Sequence, residues 1–426
     1  MRALGSRSAS LASALAGDRE ALLDLLRCER AADLLVADRL APALAVRCAE
    51  LGLEGPNLQS WKRQLYASAG IETVFEGIVH RLGETLGQAG IAWAPVKGMG
   101  LIGTVYRSPG ERPTGDVDIL VSASNLEAAV AALARDGWQS VAEGELAWRY
   151  LHAEGYAWQA TRSEGVLLEL HFRLWGSVPE ALGEAVLARA FPDPALGPTA
   201  RRLRLADAYV LAAVHTWLTP APRPLVCWWD LQRIVEAGNA DLADTVIEQA
   251  RTWGLELFVG PCAAIAAGLW GHETNHRVAG LLEELRAPEA VALRLVRHLG
   301  PDRVPLGALI LARLLAGRPS RAGWRSVYRQ VWAHPGVVAM STPGSWGWPA
   351  RRLTHVLRCV KLGLLARALG ALLPSPAPGG GGSHAEARIQ ASVAAPVLDG
   401  PGQHPGTDAK QEVERSEQSK HDVAEF

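Results

Sequence analysis

Lysine is nearly missing from this chain of 426 residues: five occur, Lys62, Lys97, Lys361, Lys410 and Lys420, against 38 arginines. Charge of one sign is lacking as well. The formal balance is −1, and residues 384–426, with eight acids and four bases, leave the remainder at only +3. That excludes a polyanion groove as a global property, so long nucleic acid is not the expected partner. Cysteine is scarce and odd in number: Cys28, Cys48, Cys227, Cys262 and Cys359. With no C-x-x-C spacing, reduced core thiols in a cytoplasmic protein are expected rather than a disulfide frame or a zinc site. Long apolar runs are also absent. The longest, at residues 306–316 and 362–373, are short and contain arginine, so no membrane span is expected. The first eighteen residues carry basic side chains without a sustained apolar stretch, which reads as the lead-in to a helix and not as a signal peptide.

What is there suffices for a sizeable core. Hydrophobic residues make up 49%, and the length suggests two to three domains. Residues 1–85 read as a helical region: Leu22, Leu23, Leu25, Leu26, Leu34, Leu35, Leu40 and Leu44 recur near helical spacing, and Gly52, Gly55 and Pro56 interrupt them. Residues 86–177 change pattern. A helix ending at Gly90 leads to the apolar strand I-A-W-A-P-V-K, a helix opening at Gly98, and a loop S-P-G-E-R-P-T-G. The strand D-V-D-I-L-V-S follows. Ser124 and Glu127 predict a capping box before an alanine-rich helix stopping at Gly137. W-Q-S-V, an edge segment at 156–161, the turn R-S-E-G and the strand V-L-L-E-L-H-F-R-L complete the unit. The expected fold is α+β, a small mixed sheet with helical regions at 1–85 and 178–373. Helices are predicted at 206–218, 228–236, 242–253 and 288–299. Residues 374–426, opening on P-S-P-A-P-G-G-G-G-S, read as linker and disordered tail.

The chemistry concentrates in three places. Asp116 and Asp118 lie two apart at the start of a strand, so alternation puts both carboxylates on one face. Such neighbours repel unless a cation lies between them, and an all-oxygen set suits Mg²⁺ or Mn²⁺ with substrate phosphates. A bare D-x-D is more often a pair of strand-edge aspartates. An EF-hand does not fit, because Leu120 and Val121 occupy positions that need a ligand and a glycine. Glu169 alters the balance. It lies amid an apolar strand with His171 and Arg173 on the same face, and a glutamate buried there needs a cation. If that face meets water, all three are simply solvated. Third, Lys97 precedes Gly98 where a strand turns into a helix, a place where backbone N–H groups and a point charge attract phosphate. Arg112, in the loop before Asp116, is a further candidate for phosphate oxygens, or an ordinary loop arginine.

K-G-x-x-L, then a tyrosine, then R-P-x-G-D-x-D-x-L-V and E-L-H-x-R-L, resemble the bacterial nucleotidyltransferases of the DNA polymerase beta-like superfamily. The subgroup is one often found beside biosynthetic or surface-polymer genes. The match runs over residues 95–174. His215, Trp217 and W-W-D-L-Q at residues 228–232 resemble the downstream helices less specifically. The resemblance implies metal carboxylates at Asp116, Asp118 and Glu169, with Lys97, Gly98 and Arg112 at the other recurring positions. It also implies an NTP substrate and Mg²⁺ (or Mn²⁺), and transfer of NMP to an acceptor that the sequence does not name. One departure is plain: the superfamily's Gly-Ser pair opens the first helix, whereas here Met99 follows Gly98. His171 reads as a neighbour that orients Glu169, which is itself a candidate base. His215 and Asp230 read as packing residues with a hydrogen bond, or as a cleft wall. Two other classes remain open. A nucleotide sensor or partner module would bind without transfer. A metal-dependent glycosyltransferase would use the D-x-D on a nucleotide-sugar, but it needs an α/β half ahead of that motif, where residues 9–85 read as helical.

Overall fold

The structure, a computed structural model, describes residues 10–28, 35, 38–141, 157–173, 180–218 and 224–285. The helix expected at 288–299, the tail at 374–426 and Cys359 lie outside these residues. Among the described residues the fold is α+β, a five-stranded mixed sheet set among helices.

Helix α1 (Arg19–Arg27) opens on Asp18, whose carboxylate accepts from the backbone N–H groups of Glu20 and Ala21, occupying donors that the first turn leaves open. Helices α2 (Ala41–Glu50) and α3 (Leu58–Gln88) are separated at the predicted Gly52–Pro56 break. There the Asn57 amide donates to the carbonyls of Leu25 and Cys28 and ties the turn to the end of α1. Helix α3 is 31 residues long, about 46 Å, and belongs to two cores. Leu58 and Trp61 pack in a helical core with α1 and α2. Phe75, Val79, Leu82 and Leu86, at spacings of four, three and four, lie beneath the sheet.

The sheet follows in the order β1 (Trp93–Pro95), β2 (Val117–Val121), β5 (Leu167–His171), β4 (Ala157–Thr161) and β3 (Gln139–Ser140). Only β2 and β5 are parallel; the other neighbours run antiparallel. Short helix α4 (Lys97–Leu101) links β1 towards β2, and α5 (Leu126–Arg135) lies between β2 and β3. Two local expectations need correction. The segment expected at an edge, β4, is interior, because Gln139 and Ser140 pair onto its outer side. The capping box does not form. Ser124 sits in a 3₁₀ turn, Asn125 takes the N-cap, and no side chain caps α5. Gly137 does close that helix, at φ +91°.

Alternation divides the sheet by chemistry. Val117, Ile119, Leu168 and Leu170 point to α3 and α5 in a fully apolar core. The opposite parity carries Asp118, Leu120, Glu169 and His171 towards the second helical layer. That layer comprises α6 (Glu180–Arg189), α7 (Leu205–Leu218), α8 (Leu225–Ala237), α9 (Leu242–Trp253), α10 (Glu256–Trp270) and α11 (Glu273–Ala279). A two-stranded ribbon, β6 (Phe191–Pro192) and β7 (Arg201–Arg202), precedes α7. Glycines in the left-handed conformation end α9 and α10, at Gly254 and Gly271. The helices before the sheet and those after it share one core: Leu15, Leu44 and Trp61 belong to the same cluster as Leu120, Tyr209, Trp229 and Val259. Cys48, Cys227 and Cys262 are buried thiols and Cys28 is an exposed one, all outside any disulfide.

Candidate metal centre

The parallel register decides the geometry. Asp118 stands opposite Glu169, and Glu169 stands opposite Gln159 on β4, so three polar side chains line up across β2, β5 and β4. Two residues further along, His171 stands opposite Leu120. Asp118, Glu169 and His171 are all buried and offer ligand atoms within 4.8 Å of one another. His171 Nε2 lies 2.8 Å from Asp118 Oδ1 and 3.4 Å from Glu169 Oε2. The amide of Gln159 donates to Glu169 Oε1 at 2.7 Å. A carboxylate pair with an imidazole, gathered from neighbouring strands beneath helices, is a donor set a divalent cation can use.

Lys97 enters this cluster from the other end. Its Nζ donates to Asp118 Oδ1 at 2.6 Å and to Glu169 Oε2 at 3.1 Å. The ammonium thus holds the carboxylates and not an open strand–helix turn. Its backbone is left-handed, φ +51°, a conformation costing a non-glycine residue roughly 1–2 kcal/mol, and such outliers concentrate at functional sites.

The electrostatics follow from these contacts. Burial works against the Glu169 anion, but the His171 hydrogen bond, the charges of Lys97 and His171 and the Gln159 amide outweigh it and hold the carboxyl well below the usual carboxylate range. Burial likewise opposes the Lys97 charge, yet Asp118 and Glu169 raise its pKa. Asp116 differs. It sits in the bend before β2, partly buried. Burial first, then the charges of Asp118 and Glu169, push its pKa up, with Lys97 and Arg112 only partly offsetting them. Lys97 thus bridges Asp118 and Glu169, while Asp116 stands outside the group of ligand atoms formed by Asp118, Glu169 and His171.

Gly98 and Arg112 are placed differently from the carboxylates. Gly98 lies against the loop: a Cβ there would meet Thr114 Oγ1 at 2.7 Å and Arg112 Nη1 at 3.1 Å. The Arg112 guanidinium is bidentate on Asp230 of α8, at 3.2 and 2.7 Å, and donates to the Pro113 carbonyl. Tyr106 donates its hydroxyl to Asp230 Oδ1 at 2.7 Å. Asp230, read from the sequence as a packing residue with a hydrogen bond, is instead the centre of a three-residue network. The loop it holds is also seated on α3. Gly110 (φ +75°) approaches the Leu65 carbonyl so closely that a Cβ would lie 2.3 Å from it, and its N–H donates to buried Glu72.

Sequence reasoning missed Gln159, which had a weak signal as a polar residue alternating with Trp158 and Ala160 on a strand. Tyr106 figures there only as the tyrosine of the family pattern; its role was not legible, because its partner lies 124 residues away.

Lys97, Arg112, His215 and Asp230 line a cavity of about 30 Å³ between α4 and helices α7 and α8. That accommodates a water molecule and excludes a nucleobase. A larger concavity of about 670 Å³, walled by Arg81, Arg135 and Arg162 among others, contains none of the carboxylates. No helix of the described residues is long and apolar enough to cross a membrane. The sequence profile of a family described as uncharacterised nucleotidyltransferase matches residues 26–271. No curated protein matches the chain.

Proposed function

The chain belongs to that family of uncharacterised nucleotidyltransferases, and from this premise we propose that it moves an NMP group from an NTP to an acceptor hydroxyl, using Mg²⁺ or Mn²⁺. The observation that carries the reading is the register that sets Asp118 beside Glu169 on parallel strands, with His171 next to both. Asp116, Asp118 and Glu169 are the proposed metal ligands, and residues 86–177 the proposed transferase unit between its helical flanks. A divalent ion bound there supplies charge neutralisation for the phosphates and acidifies the acceptor hydroxyl. The new bond joins the acceptor oxygen to the α-phosphorus as the hydroxyl proton passes to water, the bond to the bridging oxygen breaks, and pyrophosphate leaves.

The chain's own residues act mainly by positioning. Asp118 and Glu169 are fixed from both sides, by His171 and by Gln159. Glu169 is held so firmly in its anionic form that a ligand role suits it better than that of a proton acceptor. Asp116, whose pKa is raised first by burial and then by the charges of Asp118 and Glu169, gains from a cation nearby. Lys97 and Gly98, at the start of α4, are the proposed phosphate contacts, and Arg112, anchored by Asp230, provides a fixed positive charge at the cavity wall. The 30 Å³ cavity leaves base and ribose to bind outside it.

Incubating the full chain with labelled NTPs, Mg²⁺ and cell extract tests the reading. Label should pass to an acceptor, and Asp118→Asn should lower that transfer at least about 100-fold while the circular dichroism spectrum is retained. Tight NTP binding without any transfer would favour the sensor class. Binding of UDP-sugars in preference to NTPs would favour a glycosyltransferase. Unaltered binding and turnover in Asp118→Asn would remove the metal assignment.

A further inference from the structure

Lys97 offers the carboxylates a cation of their own. Its ammonium contacts one oxygen of Asp118 and one of Glu169, and these are atoms that a divalent ion would need as ligands. Only 16% of the side chain is exposed. The left-handed backbone at Lys97, at the junction of β1 and α4, fixes where the side chain starts. The ammonium brings one positive charge to the two carboxylates it touches. A divalent ion offsets two, and bonds more oxygens than an ammonium with three donors. The ammonium stands between Asp118 Oδ1 and Glu169 Oε2, so an ion bridging those two oxygens would take its place. Lysine also suits such an exchange better than arginine does. It is a compact point charge on a flexible stem, with no planar fork to hold it to one carboxylate.

We propose that Lys97 is an exchangeable internal cation: it holds the Asp118–Glu169 pair together until a divalent ion takes those oxygens, and the released ammonium then faces the phosphates the ion brings. The inference rests on the metal reading above. Metal binding carries the cost of displacing a buried ion pair, and the phosphates of a nucleotide give the freed charge a new partner. The arrangement favours loading of metal together with nucleotide over loading of metal alone, a coupling between two ligands that share one switchable side chain.

The experiment is Mn²⁺ titration of the full chain without nucleotide, followed by electron paramagnetic resonance or calorimetry, for the unaltered protein and Lys97→Met. The variant should bind Mn²⁺ about tenfold more tightly. Equal or weaker binding by the variant, with Mn²⁺ still bound by the unaltered chain, overturns the exchange and leaves the metal reading standing. Failure of both proteins to bind Mn²⁺ overturns the metal reading itself and the exchange with it. A second measurement needs no variant. Acetic anhydride labelling read by mass spectrometry at Lys97, with Lys62 as internal reference, should rise when Mn²⁺ is added. No rise at saturating Mn²⁺ overturns the exchange, and this readout decides the matter if Lys97→Met does not fold.

Discussion

The Lys97 cluster on the sheet and the Asp230 cluster on α8 are both buried and both set one basic side chain against carboxylates. They are balanced in different ways. At Asp230 one carboxylate meets one bidentate guanidinium and one phenol. The charges match, the geometry is a fork on a fork, and nothing further is needed. Around Lys97, by contrast, one ammonium serves Asp118 and Glu169 while Asp116 stands close by with a raised pKa. A matched cluster holds the molecule together. A cluster in which one ammonium serves two carboxylates offers a place for a further cation, as the proposed function requires.

The largest expected effect that tests this contrast is on stability. Asp230→Asn leaves the Arg112 guanidinium buried without a carboxylate, and should cost about 3–5 kcal/mol of unfolding free energy. Asp118→Asn removes one carboxylate but leaves Lys97 paired with Glu169, so it should cost less than Asp230→Asn. Urea unfolding of the two isosteric variants, read by circular dichroism, gives the comparison directly. Equal losses would mean that both clusters are structural, and would erase the distinction drawn here.

A smaller effect sharpens the same contrast. Tyr106→Phe deletes one donor to Asp230 while the guanidinium stays bidentate, and should cost about 1.5–3 kcal/mol, the range for a hydrogen bond to a charged group. Because Tyr106 and Arg112 share Asp230, losses in Tyr106→Phe and Asp230→Asn should not add in the double variant. Simple additivity in urea melts would show that the phenol acts elsewhere.

The two clusters were unequally legible in the sequence. V-D-I-L-V and L-L-E-L-H lie on strands whose period of two assigns faces from the sequence alone, so Asp118, Glu169 and His171 could be placed on faces before their pairing was known, whereas Asp116 falls in the bend ahead of β2. Parallel pairing of β2 and β5 then needed only one register to bring them together. Lys97 was recognised from its rarity and its position, but what its ammonium touches depends on two residues that are 21 and 72 positions away. Asp230 was harder still. Its partners Tyr106 and Arg112 lie in a loop seated on α3 through Gly110 and Glu72, and no periodicity joins that loop to α8. The failed capping box has a local cause: Ser124 is spent in a 3₁₀ turn, one residue before the helix cap. The interior place of β4 was missed because β3, only two residues long, carries almost no strand pattern.

The smallest expected effect concerns His215, which faces the cavity between the clusters and senses both. Burial pushes its pKa down to about 3, and the charges of Lys97, Arg112 and His171 act in the same direction, with Asp118 opposing them. An unfolded histidine titrates near pH 6.5. As pH falls below that value the unfolded chain takes up a proton that the folded chain refuses, so stability falls through the window from about 6.5 towards 3. The ceiling is about 1.4 kcal/mol per pH unit. Allowing for the partial exposure of the ring, about 1–2 kcal/mol should be lost between about pH 7 and pH 5. His215→Gln should flatten that part of the profile, since glutamine takes up no proton. Carboxylates whose folded pKa is raised, Asp116 among them, act in the opposite direction, and comparing the two proteins cancels their share. Urea midpoints of both proteins at the two pH values measure the difference. If the two lose stability equally, His215 feels neither the ammonium of one cluster nor the guanidinium of the other, and the cavity does not join them electrostatically.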